Sequence, residues 1–155
     1  MTRYWLITTS SDNFERSADH GWTVQGFKAR QGKKAAQMQP GDILIYYLTG
    51  VKSFAGYVEV ASASFEDHKP IWRSEGRPDE LYPWRVRVEP KVILGRPGWL
   101  EAEPIARELD HVRKWPAKNW TLAFQGNLRE IPAADGQRLV EAINQRAVEP
   151  ASASS

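Results

Sequence analysis

The chain has 155 residues, 41% of them hydrophobic and 26% charged, a size and balance that suit one soluble domain with a core of its own. It carries no cysteine, which excludes a disulfide framework and thiolate metal or redox chemistry, and its formal net charge is only +2, so any anion site must be local. No apolar run approaches the roughly 20 residues of a membrane span, and the start MTRYWLITTSS lacks the longer apolar region and cleavage site of a signal peptide, so a cytoplasmic protein with no membrane contact is expected.

In chain order, YWLITT (4–9) is β-branched and aromatic and reads as a buried first strand. Asp12 with Glu15 three residues on reads as a capping box for a helix that Gly21 stops. Residues 22–24 are a short extended piece, and 29–38 a weaker helix, basic at its start, that ends before Pro40-Gly41. ILIYYL (43–48) is a continuous apolar strand, and residues 53–63 are its antiparallel partner, with Ala55-Gly56 suggesting a bulge or a close approach. Residues 65–82 are polar and contain Pro70, Gly76 and Pro78. They read as a long surface loop, of a length that is uncommon without a function or mobility.

Residues 83–94 alternate: Arg85, Arg87 and Glu89 mark a wet face, and Trp84, Val86 and Val88 a dry one. A short helix over 104–112 places Ile105, Leu109 and Val112 on one side, and residues 115–127 are aromatic and irregular. Leu128 to Ile131 adds a short strand, and Pro132 opens a last helix with Leu139, Val140, Ile143 and Ala147 on one face. Residues 1–147 form a single domain and 148–155 a tail. The pattern favours a mixed α/β domain of the α+β type, built on a small curved sheet or barrel flanked by helices.

Enzyme signatures are weak. There is no phosphate loop of the GxxxxGK[ST] kind and no GxGxxG after a strand. His20, His68 and His111 lie near no convincing catalytic or metal-binding partners, and Glu66-Asp67-His68 reads better as a solvated loop than as a ligand set. No metal and no cofactor are expected. Lys28, Arg30, Lys33 and Lys34 form a basic cluster without a neighbouring acid, and phosphate contact and a plain charged surface fit it about equally well. Among the seven tryptophans, Trp22 and Trp72 stand apart because each borders irregular backbone, and two such rings could sandwich a base.

YWLITTS, GWTVQG, PGDILIYYLTG, FAGYVEV, FEDHKPIW and KWPAKNWTLAFQGN, in this order, resemble the EVE domain, a family of the PUA-like group related to the YTH readers and to thymocyte nuclear protein. The likeness spans about residues 3–145. It implies a small β-barrel flanked by helices, with a pocket for a flipped or unpaired modified base: modified cytosine in DNA for EVE domains, methylated adenine in RNA for YTH domains. Trp22 and Trp72 match two cage positions of the YTH pattern. The third has no secure counterpart, with Trp120 or Leu81 as guesses. Ser10, Thr23, Gln25, Tyr47 and Thr49, at strand ends, are candidates to read a ring edge. The expectation is a non-catalytic reader that binds DNA or RNA. A nuclease like those of the ASCH group, with Glu66 and Asp67 as suspects, or a binder of free nucleosides is the alternative.

Overall fold

The computed structural model describes residues 2–96 and 98–148. Strand β1 (Tyr4–Thr9) buries Trp5, Leu6 and Ile7, so both of its faces are covered, as its unbroken apolar run requires. Helix α1 (Ser11–Asp19) follows directly. Its N-cap is Ser10, whose hydroxyl accepts the Asn13 N–H at 3.1 Å. The expected Asp12–Glu15 box is not used. Asp12 lies inside the first turn, where its carboxylate takes the Arg16 guanidinium at 3.0 Å. Gly21 (φ +68°) ends the helix as expected, and Trp22 continues in the left-handed region at φ +56°, a strained conformation for so bulky a residue.

After β2 (Val24–Phe27) the expected ten-residue helix is only a 3₁₀ turn at Ala29–Gln31 and a single α turn, α2 (Gly32–Ala35). The cause is Trp84. Its indole N–H takes the Ala29 carbonyl at 2.9 Å, and the ring lies so near that a Cβ on Gly32 would sit 2.9 Å from it. Then come β3 (Ile43–Leu48), β4 (Ser53–Val60), the two-residue β5 (Phe65–Glu66), β6 (Trp84–Ile93), β7 (Leu100–Glu101), α3 (Ala102–Ala106), β8 (Leu128–Ile131) and α4 (Ala133–Ala147).

The sheet runs β2-β6-β4-β3-β1-β8, with β5 on β6 and β7 on β4. Among the described residues, only β1 and β3 pair in parallel. The bulge expected at Ala55-Gly56 is present: the β3–β4 register shifts there, and Gly56 has φ +144° with a Cβ position 2.3 Å from the Val92 carbonyl. Curling brings the two edge strands towards each other without pairing. Asn127 bridges this gap, accepting from the Lys28 N–H at 2.9 Å and donating to the Thr8 carbonyl at 3.3 Å. Lys34 adds a bond from Nζ to the Leu128 carbonyl at 3.0 Å. The mixed α/β half-barrel with flanking helices is the expected class.

One face of the sheet, with Leu6, Ile45, Tyr47 and Phe54, packs on α3, α4 and the 3₁₀ turns of Ala117–Phe124. The other, with Trp5, Ile7, Leu44, Tyr46 and Val86, encloses Phe14, Phe27 and Met38. The alternation on β6 is not simple. Arg85 is 1% exposed rather than on a wet face, and Trp84 is half-buried rather than core. Nor is the long connection before β6 a free surface loop, because Ile71, Trp72 and Tyr82 form a small buried cluster beneath it. Of the expected tail, Val148 is 79% exposed and residues 149–155 lie outside the described residues.

In α4, Pro132 takes the N-cap and Asp135 accepts from the backbone N–H of Asp110 (3.0 Å) and of His111 (2.8 Å). This seats His111 at 6% exposure, its Nε2 on the Ala123 carbonyl at 2.8 Å. Burial, reinforced by nearby positive charge, pushes its pKa below the ordinary 6.5. The unfolded chain therefore binds this proton more readily, so the stability His111 contributes is complete above 6.5 and is lost as the pH falls from there towards the lower folded value. We expect the Tm of His111→Asn to fall less steeply than that of the unsubstituted protein between about pH 7.5 and 5.5. Parallel Tm–pH curves would contradict this.

Candidate nucleic-acid interface

The C-terminal ends of the parallel strands β1 and β3 open against the first turn of α1, an arrangement that favours a ligand site in α/β sheets. A cleft of about 620 Å³ lies there. Thr8, Thr9 and Thr49 form its strand-end wall, Ser10, Asp12 and Asn13 come from α1, Lys28 and Asn127 from the bridged gap, and Arg73 to Glu75, Arg77 and Tyr82 from the long loop.

The loop wall is held from both sides. Asn13 engages the Arg73 backbone as a strand would, its Oδ1 accepting the N–H at 2.8 Å and its Nδ2 donating to the carbonyl at 2.8 Å. Tyr82, in the left-handed region at φ +52°, bonds through its hydroxyl to Ser74 at 2.7 Å, and burial raises its pKa so that it stays a neutral phenol. Underneath, Arg85 donates from Nε to the Tyr82 carbonyl (3.1 Å) and from Nη2 to the carbonyls of Leu81 (3.1 Å) and Lys69. It also pairs with Asp67 at 3.4 Å and lies 5.1 Å over the Trp72 ring. One guanidinium thus fastens both ends of the loop.

Trp72 itself is 2% exposed. Its indole N–H donates to Ser17 Oγ (2.9 Å), which donates to Gln25 Oε1 (2.9 Å), where the Tyr46 hydroxyl also donates (2.6 Å). A smaller cavity of about 330 Å³ adjoins the cleft, sharing Arg73, Ser74 and Arg77 and walled by Trp72, Leu81, Pro70 and Pro78.

Charge is what distinguishes the cleft. Several arginines of the surface are paired, as Arg3 is with Glu130, Arg107 with Glu103 and Arg113 with Asp110. Among the described residues, the charged heads of Lys28, Arg73 and Arg77 have neither an ion pair nor a hydrogen bond; of the two carboxylates in the lining, Asp12 is engaged by Arg16, and Glu75 offsets one of the three positive charges. Burial lowers the Lys28 pKa, and the positive charges of Arg30 and Arg77 lower it further, with Glu80 opposing. Cations held together in this way favour an anion between them.

A family model described as the EVE domain matches residues 3–142. The chain belongs to the EVE domain family. The UPF0310 protein PH1033 of Pyrococcus horikoshii is 27% identical over 150 residues, covering 90% of this chain and 97% of that one. The fold is similar to that of the Mmi1 YTH domain in an RNA complex, with a TM-score of 0.66 at 15% identity over 92% of this chain and 82% of the other. It is also similar to the YTH domain of the Zygosaccharomyces rouxii MRB1 protein in complex with N6-methyladenosine RNA, at 0.63 and 17% identity over 92% and 86%.

In this EVE domain, Ser10, Thr49 and Lys28 line the cleft. Trp72 walls the smaller cavity together with Leu81, one of the two guesses for a third wall, whereas Trp120 is core, 5.9 Å from Phe124. Trp22 is half-buried 4.7 Å from Phe14 and 5.6 Å from Tyr46, and it borders neither cavity. The two indoles therefore sit in separate clusters, not as a facing pair. Gln25 is consumed by the buried network, and Tyr47 lies under the sheet, stacked 4.6 Å from Phe124. Thr23 is exposed on a turn, bonded to the His20 carbonyl, and Arg30 and Lys33 are exposed outside the cleft, while Lys34 helps to bridge the barrel. Arg73, Arg77, Asn13, Tyr82 and Asn127 are missing from the sequence reading. The unusual length of the loop was the available signal for the first two.

Proposed function

We propose that this EVE domain is a non-catalytic reader of single-stranded or unpaired nucleic acid. The observation that carries the reading is the convergence of three unpartnered cations, Lys28, Arg73 and Arg77, on a cleft beside a cavity with a tryptophan wall. Phosphate oxygens would occupy the cleft between the cations, and a base, modified or not, would enter the smaller cavity against Trp72 and Leu81. Threonine and serine hydroxyls at the strand ends supply orienting bonds. The RNA complexes of the similarly folded YTH domains support the same partner class.

The test is binding of a panel of single-stranded DNA and RNA oligonucleotides, each bearing one modified base, over a range of salt. Binding should weaken with salt, and Lys28→Gln and Arg77→Gln should each flatten the log K against log salt slope by about 0.7, the value for one phosphate contact on a single strand. An unchanged slope in both variants would remove phosphate from the cleft. Equal affinity for free nucleosides and oligonucleotides would instead favour a nucleoside binder.

A further inference from the structure

Beyond the cleft, a second basic and aromatic surface lies along the chain that leads away from Asn127. Asn127 borders the cleft, and Gln125 and Gly126 immediately precede it. The Arg129 guanidinium lies along this segment, donating from Nη2 to the Gln125 carbonyl at 2.7 Å and standing 3.8 Å from the Cβ position of Gly126. Its other side faces the half-buried Trp115 ring at 6.0 Å, and its Nε is buried without a hydrogen-bond partner. Lys114 and Lys118 flank Trp115 in sequence, both exposed and, among the described residues, with no carboxylate paired to either. The one nearby acid in an ion pair, Asp110, is taken by Arg113 at 3.0 Å, and Asp135 is buried on backbone N–H groups. Positive charge from Arg129 and Lys114 reaches far enough inward to act on His111.

We infer that a single strand held in the cleft leaves it on one side only, across Gln125–Asn127, and lays its next nucleotides on Trp115 with Lys114 and Lys118 on their phosphates. This rests on the reading of the cleft given above. A half-buried indole, packed on His111 at 5.5 Å, with uncompensated lysines on either side is a combination suited to single-strand binding, stacking being tolerant of sequence and the lysines following the backbone. On the opposite side, residues 73–77 and Tyr82 wall the cleft and lead into the Trp72-walled cavity that takes the base, so the strand would turn inward there rather than run on across the surface. The path is therefore polar with respect to strand direction.

The experiment compares a trinucleotide with a central N6-methyladenine or 5-methylcytosine against two decanucleotides that carry the same base next to the 5′ end or next to the 3′ end. One decanucleotide should bind about tenfold or more tighter than the trinucleotide, and the other no tighter. The double variant Lys114→Gln/Lys118→Gln changes only exposed side chains. It should lose that gain and flatten the salt slope by about 1.4 for the favoured decanucleotide, leaving the trinucleotide unaffected. Trp115→Ala, checked for an unchanged circular dichroism spectrum, should lose the gain with little change of slope. Equal gains from both extensions, no gain from either, or a gain that survives in the double variant would overturn the inference while leaving the cleft in place. Failure of all three probes to bind would overturn the cleft reading and this surface with it.

Discussion

Arg85→Met is expected to cost about 2–4 kcal/mol of stability and to release the long loop, so that ligand affinity falls even though Arg85 borders neither cavity. Methionine fills much of the space but donates nothing. Three carbonyls, of Lys69, Leu81 and Tyr82, lose their donor at once, and Asp67 loses its counter-charge. The larger part of the loss comes from the unpaired carbonyls, that of Tyr82 in a buried place and those of Leu81 and Lys69 partly buried, because Asp67 is 46% exposed and water replaces most of what the ion pair supplies. Lysine would not restore the function, since one ammonium cannot span acceptors at both ends of the loop. Urea unfolding gives the first quantity, and hydrogen exchange of the amides at 70–81 gives the second. If those amides exchange at the rate of the unsubstituted protein, Arg85 does not hold the loop.

Gly26→Ala should be nearly as damaging, at roughly 3 kcal/mol, the upper part of the range for overpacking. The added methyl would stand 2.4 Å from Trp72 Cζ3 and 2.8 Å from the Tyr82 carbonyl, so something must move. The ring has little room to yield, because its N–H is fixed to Ser17 and its face to Arg85. The Tyr82 carbonyl is the acceptor of Arg85 Nε, so the strain passes into the same clamp. The Trp72 indole N–H resonance should shift or broaden in this variant, and an unshifted resonance with unchanged Tm would rule the mechanism out. Because both substitutions act on one contact, the double variant should lose less than the two single losses added together.

The strands were legible because their signals are local. The β-branched runs at 4–9 and 43–48 and the small pair Ala55-Gly56 state their own conformations. The parallel pairing of β1 with β3 was not, because nothing in either strand encodes its partner. Arg85 was misread for a related reason. Alternation identifies faces, but an arginine can be turned inward wherever carbonyls and a ring await it, and those belong to residues 69–82. Ser10 outcompeted Asp12 as a cap by two residues, a choice that local pattern cannot resolve. Setting Trp22 and Trp72 apart for their irregular backbone did not make them a facing pair: Trp72 walls a cavity, and Trp22 packs on Phe14 and Tyr46. Basic residues within 28–34 were visible as a run, yet only Lys28 reaches the cleft. The cations that join it come from the loop, where sequence distance hid them.

Asn127 also sets the order of events during synthesis. It joins Thr8, 119 positions earlier, to Lys28, 99 positions earlier, and β8 pairs with β1 immediately behind it. A ribosome must therefore have released more than four-fifths of the 155 residues before the cleft has its full wall. Until then β1 lacks one neighbour and presents an open edge. The complete cleft thus appears late, at close to the moment the sheet is sealed.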